Sequence, residues 1–128
     1  PDPGLSVDGR ERAARLARML SQARPVRGID AIFASEFKRT QQTVTPLSET
    51  LALPLNVVPT ATWNELPRRI LRGHRGEYVV VAGNAGNIPS LIEALSGQRV
   101  QLRDDEYDAM FIVFAPQISR AQVVRVRY

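Results

Sequence analysis

Two short segments of this 128-residue chain carry residue types suited to handling a small anion. The first is Ser35-Glu36-Phe37-Lys38-Arg39-Thr40-Gln41-Gln42-Thr43, which follows the apolar run Ile29–Ala34 and opens a helical pattern. The free amides of a helix start, together with a guanidinium one turn in, suit a phosphate. Arg39 is the guanidinium so placed. The second is Ala82-Gly83-Asn84-Ala85-Gly86-Asn87-Ile88-Pro89, again a buried run followed by a helix start. Its glycines let a ligand approach the backbone closely.

The elements that must position these segments follow from periodicity. Ser6 reads as the N-cap of a helix running to about Gln22, with Ala13, Leu16, Ala17 and Leu20 at helical spacing forming one apolar stripe. Arg10, Arg12, Arg15 and Arg18 lie mostly off that stripe and read as a solvated face, with an anion-binding groove as the alternative. Ile29–Ala34 and Leu55–Val58 read as short strands, and Phe37–Leu51 as a helix that Pro46 kinks or breaks near its middle. A further helix is expected from Asn64 to Arg72, with Pro67 in its first turn.

Glu77–Ala82 is a β-branched strand, and Pro89 stands at the start of a helix reaching about Leu95. Met110–Ala115 and Ala121–Tyr128 form a terminal antiparallel pair. The alternation predicts a three-layer α/β/α domain over 1–128, its sheet mostly parallel with a C-terminal antiparallel hairpin. In such sheets the site lies beyond the carboxyl ends of the parallel strands, where both anion-suited segments arrive. The chain opens on Pro1-Asp2-Pro3-Gly4 with neither methionine nor strand. The expectation is an N-terminally incomplete domain whose central first strand is missing from the given chain.

Composition narrows the function classes. A balance of 44% hydrophobic and 23% charged residues is that of a globular domain, and no apolar run approaches the roughly 20 residues of a membrane span. With no cysteine, disulfides, thiolate chemistry and cysteine-held zinc are excluded. The net charge of +4 is carried almost wholly by arginine, which grips phosphate oxygens with a planar fork and does not lose its charge. Nucleic acid is a poor partner for the arginine-rich first helix, because no aromatic residues interleave there as a stacking platform. The compartment is open between cytoplasmic and bacterial periplasmic or secreted.

Taken together, the motifs resemble the histidine phosphatase (phosphoglycerate-mutase-like) superfamily, in its small bacterial branch. Leu5-Ser6-x-x-Gly9 with Ala13 and Leu16-Ala17 is similar to the family's first helix. Ile32-Phe33-Ala34-Ser35-x-x-x-Arg39-x-x-Gln42-Thr43 resembles its second motif, and Val79–Gly83 with Asn84, Asn87, Ile88 and Pro89 its last. Asp105-x-Tyr107-Asp108-x-x-Phe111 resembles the approach to the next strand in one branch.

The resemblance implies phosphoryl transfer to a histidine inside a cationic cage, with no metal and no organic cofactor. It implies that Arg39 binds the phosphoryl group alongside Gly83, Asn84 and Ala85, and that Glu65 is the acid, with Glu36 as the other candidate. The family's Arg-His motif is absent from the chain, and its Gly-His pair reads Gly83-Asn84. Asparagine donates neutral hydrogen bonds only. The expected function is hydrolysis of a phosphomonoester or phosphohistidine, impaired by Asn84, with an upstream strand supplying Arg-His. The alternative is a non-catalytic pseudophosphatase that binds phosphate or a phosphoprotein. Partners are accordingly a phosphorylated small molecule or a phosphoprotein. His74, the chain's one histidine, precedes the Glu77–Ala82 strand and so belongs to the opposite end of the sheet. Trp63 and Tyr107 are candidates for pocket walls or for packing.

Overall fold

A computed structural model describes residues 2–22, 28–84, 86–99, 110–115 and 122–125, with backbone alone for Gln22, 110–115 and 122–125. Helix α1 spans Val7–Gln22. It starts where Ser6 predicts: the Gly9 amide donates to Ser6 Oγ at 3.1 Å, satisfying one of the free N–H groups of the first turn. Its stripe of Ala13, Leu16, Ala17 and Leu20 is buried, while Arg10, Arg15 and Arg18 are exposed.

Strand β1 (Ala31–Ser35) leads into α2 (Lys38–Leu51), and β2 (Leu55–Val58) follows. Helix α2 runs through Pro46 without a break in its assignment, so the expected turn at its middle does not form. Val44 and Leu47, fully buried on either side of the proline, hold both halves against the sheet. The helix ends on Ala52 at φ 54°, ψ 38°, with the Leu53 amide donating to Ser48 O at 3.0 Å.

The helix expected over 64–72 is α3 (Leu66–Gly73), with Pro67 in its first turn as expected, and a 3-10 segment Thr60–Glu65 takes the first two expected residues. The reason is local. Pro67 has no N–H to continue the ladder back to Trp63, so the Leu66 amide takes the Trp63 carbonyl instead, a 3-10 contact. Then come β3 (Glu77–Ala82), α4 (Ile88–Ser96), β4 (Met110–Ala115) and β5 (Gln122–Arg125).

The five strands form one sheet in the order β2-β1-β3-β4-β5. The pairs β1–β2 and β1–β3 are parallel, and β3–β4 and β4–β5 antiparallel. The terminal hairpin therefore continues the sheet, with β4 directly against β3. Alternation along the strands divides the core. Phe33, Val79 and Val81 pack with Trp63, Leu66 and Ile70 and with Ile88, Leu91, Ile92 and Leu95 of α4. Ile32, Ala34, Val80 and Ala82 face the other way, against Leu16, Ala17 and Leu20 of α1 and Val44 and Leu47 of α2. Helices thus cover both faces. No described helix is long and apolar enough to cross a membrane.

Ala52 holds a left-handed backbone that a Cβ disfavours. Ala52→Gly is expected to raise stability by about 0.5–1 kcal/mol, read as a higher urea midpoint. An unchanged or lower midpoint would contradict the cap geometry.

Candidate phosphate site

Parallel pairing sets Ala34 opposite Ala82. The chain therefore leaves β1 and β3 at one edge, where residues 36–40 follow β1 and Gly83 and Asn84 follow β3. The β1 exit is a fixed turn. Ser35 is fully buried, its Oγ 2.6 Å from Thr40 Oγ1. The Thr40 hydroxyl also faces the Phe37 carbonyl at 2.9 Å, and Gln41 Nε2 donates to Glu36 O at 2.7 Å. This brace sets Arg39 in the first turn of α2, half-buried.

The segment before α1 closes over the same turn. Asp2 Oδ1 accepts from the Lys38 amide at 2.9 Å, and Gln42 Oε1 accepts from the Leu5 amide at 2.7 Å. Gly4 permits this approach, since a Cβ there would stand 2.9 Å from Gln42 Oε1. Beneath it lies a cavity of about 180 Å³ lined by Leu5, Ser6, Asp8, Gly9, Arg12, Arg39 and Thr43. The Lys38 amide, which the sequence offered to an anion, is engaged by Asp2. The charged groups lining the cavity are Asp8 and the guanidiniums of Arg12 and Arg39.

The β3 exit is organised by Asn87, which is buried at the N-cap of α4. Its Oδ1 turns back to accept from the Asn84 amide at 2.9 Å, and its carbonyl accepts from Trp63 Nε1 at 3.1 Å. Asn84 itself is exposed, and its Oδ1 accepts from the Gly86 amide at 2.9 Å. Gly83 is required for packing: a Cβ there would lie 2.5 Å from Asn87 Oδ1 and 2.8 Å from Ile88 Cδ1. Trp63, 4% exposed, packs in the core and holds this loop rather than walling a pocket.

Of the candidate acids, Glu36 turns toward the 3-10 segment, its Oε2 accepting from the Thr60 amide at 3.0 Å. Glu65 is exposed at the far end of that segment. Glu36 Oε1 and Asn87 Nδ2 are buried with no hydrogen-bond partner among the described residues. His74 lies before β3, its Nδ1 2.6 Å from Glu77 Oε1 and its ring edge-on to Phe33 at 5.4 Å between centroids. Ala85, Asp105, Tyr107 and Asp108 lie outside the described residues.

Arg39 thus shares a cavity with α1, whereas Asn84 and Glu65 are not among its lining residues. Two contributors were not singled out from sequence. Arg12 was grouped with the solvated run, although its place four residues before Leu16 sets it beside the buried stripe. Asn87 was read as loop, although a small polar residue two before a helix-opening proline is a cap signal.

Residues 1–67 match the family described as the histidine phosphatase superfamily (branch 1). The chain belongs to the histidine phosphatase superfamily. The matched residues include Arg39, the cavity-lining start of α1 and the 3-10 segment. Solved structures share the fold. A protein described as mycobacterial hydrolase 1 superposes with TM-score 0.64 at 17% identity, covering 96% of this chain and 85% of the other. Mycobacterial glucosyl-3-phosphoglycerate phosphatase in complex with inorganic phosphate gives TM-score 0.64 at 16% identity, covering 99% and 87%. SixA from Agrobacterium tumefaciens, assigned as a phosphohistidine phosphatase, gives TM-score 0.61 at 15% identity, covering 99% and 87%. No individual curated protein matches the chain by sequence.

The Asn87–Gly83 contact yields a test. Gly83→Ala is expected to cost about 1–3 kcal/mol through overpacking, measured by urea unfolding. Wild-type stability in this variant would refute the close approach.

Proposed function

We propose that this chain is part of a phosphatase-type domain that takes the phosphoryl group of a phosphomonoester or phosphohistidine at Arg39, and that turnover through a phosphohistidine, on an Arg-His pair supplied by an upstream strand, is slowed by Asn84. The observation that carries the reading is Arg39. It stands half-buried one turn beyond the buried β1 strand, in a formed cavity at the carboxyl edge of the parallel strands. Membership in the superfamily supports phosphoryl chemistry. The names of two structural neighbours, a glucosyl-3-phosphoglycerate phosphatase and a protein assigned as a phosphohistidine phosphatase, support a phosphorylated small molecule or phosphoprotein as partner.

The roles follow from charge. The Arg39 fork offers paired N–H donors to two phosphoryl oxygens and neutralises charge that spreads over them in the transition state. Gly83 and Asn84 stand at the same end of the sheet, where Asn84 is exposed and carries a neutral carboxamide. Glu65, solvent-facing on a segment tied to this end through Thr60–Glu36 and Trp63–Asn87, is the candidate to protonate the leaving oxygen. Asn84 donates hydrogen bonds without a positive charge, so it stabilises a developing phosphoryl charge less than an imidazolium does.

A second reading is favoured by the position of His74. The one histidine of the 128 residues sits at the opposite end of β3, paired with Glu77. On that reading the domain is a pseudophosphatase that binds phosphate or a phosphoprotein without turnover.

Arg39→Ala is expected to weaken inorganic phosphate and vanadate binding at least tenfold, about the loss of a hydrogen bond to a charged group, with the circular dichroism of the fold retained. Unchanged affinity would remove Arg39 from the site. In the protein that carries the upstream Arg-His pair, Asn84→His separates the two readings in a phosphomonoester assay. A rise in turnover of about 10²-fold supports slowed catalysis, whereas no turnover with phosphate binding intact supports the pseudophosphatase.

A further inference from the structure

We infer that Arg12 of α1 is a second phosphoryl ligand, and that the dianionic phosphoryl group is held between two guanidiniums, Arg12 and Arg39, in the cavity between α1 and α2. The inference rests on the reading of Arg39 as a phosphoryl ligand and extends it to a residue outside the motif around Arg39.

The run Arg10, Arg12, Arg15 and Arg18 is uniform in sequence but not in space. At about 100° per residue, Arg15 and Arg18 point away from the buried stripe centred on Ala13, Leu16 and Leu20, whereas Arg12 falls on its flank, on the side of Gly9. Burial agrees: Arg12 is half-buried, and Arg10, Arg15 and Arg18 are exposed. Only Arg12 of the four lines the cavity, and it does so with Arg39.

The cavity's remaining lining fits a small anion. Gly9 keeps the α1 wall low, since a Cβ there would press on Leu5 Cδ2 at 3.1 Å. Ser6 and Thr43 add hydroxyls, and Leu5 supplies an apolar wall. The Thr43 hydroxyl donates to Arg39 O at 2.7 Å. Asp8 is the one carboxylate in the lining. It lies four residues before Arg12, a spacing at which side chains on one helix are neighbours. Against it stand two guanidiniums, so the lining carries net positive charge. Two planar forks satisfy the oxygens of a phosphoryl dianion better than one, and on rigid helices they do so without reorganisation. The pair also suits a domain whose Asn84 brings no charge of its own.

The test titrates inorganic phosphate and vanadate into the full chain and its variants by calorimetry at fixed ionic strength. Arg12→Ala is expected to weaken binding about tenfold. Arg12→Lys, which keeps the charge but loses the fork, is expected to fall between Arg12→Ala and the unmodified chain. Asp8→Asn, removing the like charge, is expected to tighten binding several-fold. Arg10→Ala, an exposed neighbour on the same helix, controls for general charge and should change affinity less than about twofold. If Arg39→Ala abolishes binding while Arg12→Ala and Arg12→Lys behave as Arg10→Ala does, the two-guanidinium site is overturned and the Arg39 reading survives. If neither Arg39→Ala nor Arg12→Ala alters affinity, both fail. Weaker binding in Asp8→Asn would also overturn the inference, because an anion cavity gains from losing a carboxylate.

Discussion

The candidate site depends first on the parallel pairing of β1 with β3. Because Ala34 stands opposite Ala82, two segments that are about 50 residues apart in sequence leave the sheet at one edge. The pairing is held from both faces. Phe33, Val79 and Val81 are buried against α3 and α4, and Ile32, Val80 and Ala82 against α1 and α2. A register slip of one residue would exchange those faces and turn every inward side chain outward. The fixed edge then allows short-range bonds to finish the site: Ser35 with Thr40 at one exit, and Asn84 with Asn87 at the other.

A second layer of constraint joins distant elements to this edge. Asp2 and Leu5 are bonded to the first half of α2, so the approach to α1 becomes a wall of the cavity. Glu36 and Asn87 each bond to the 3-10 segment between β2 and α3, which ties Trp63 and Glu65 to the same end. The candidate site is thus drawn from four stretches of chain that are remote in sequence and bonded to one another at the sheet edge. The charged side chains lining the cavity are Arg12, Arg39 and Asp8, and His74 is at the other end of β3.

Much of this was legible in the sequence where local physics decides the outcome. The Ser6 cap, the stripe of α1 and the β-branched Glu77–Ala82 strand need only neighbouring residues, and each stands at its expected place. The placement of Arg39 in the first turn of a helix after a buried strand was legible because that pattern is local. Three features were not, and each depends on partners remote in sequence or on a missing donor. Pro46 stays inside a continuous α2 because Val44 and Leu47 are clamped by the sheet, so packing overrides the lost hydrogen bond. Pro67 leaves the Trp63 carbonyl to the Leu66 amide, so the expected helix starts two residues late, after a 3-10 segment. Arg12 looked like one more solvated charge until α1 and α2 were brought together around Arg39. Loop chemistry was half legible: the glycine at 83 was recognised as a place of close approach, but the side chain that approaches it is Asn87 of the same loop.

The most direct test of the account is to map phosphate binding onto the backbone by amide chemical shifts during titration with inorganic phosphate. The account predicts saturable shifts concentrated at Leu5–Gly9, Arg12 and Arg39–Thr43, with His74 and Glu77 unmoved. Saturation with shifts centred on His74 and Glu77, or no shift around Arg39 at any phosphate concentration, would contradict it.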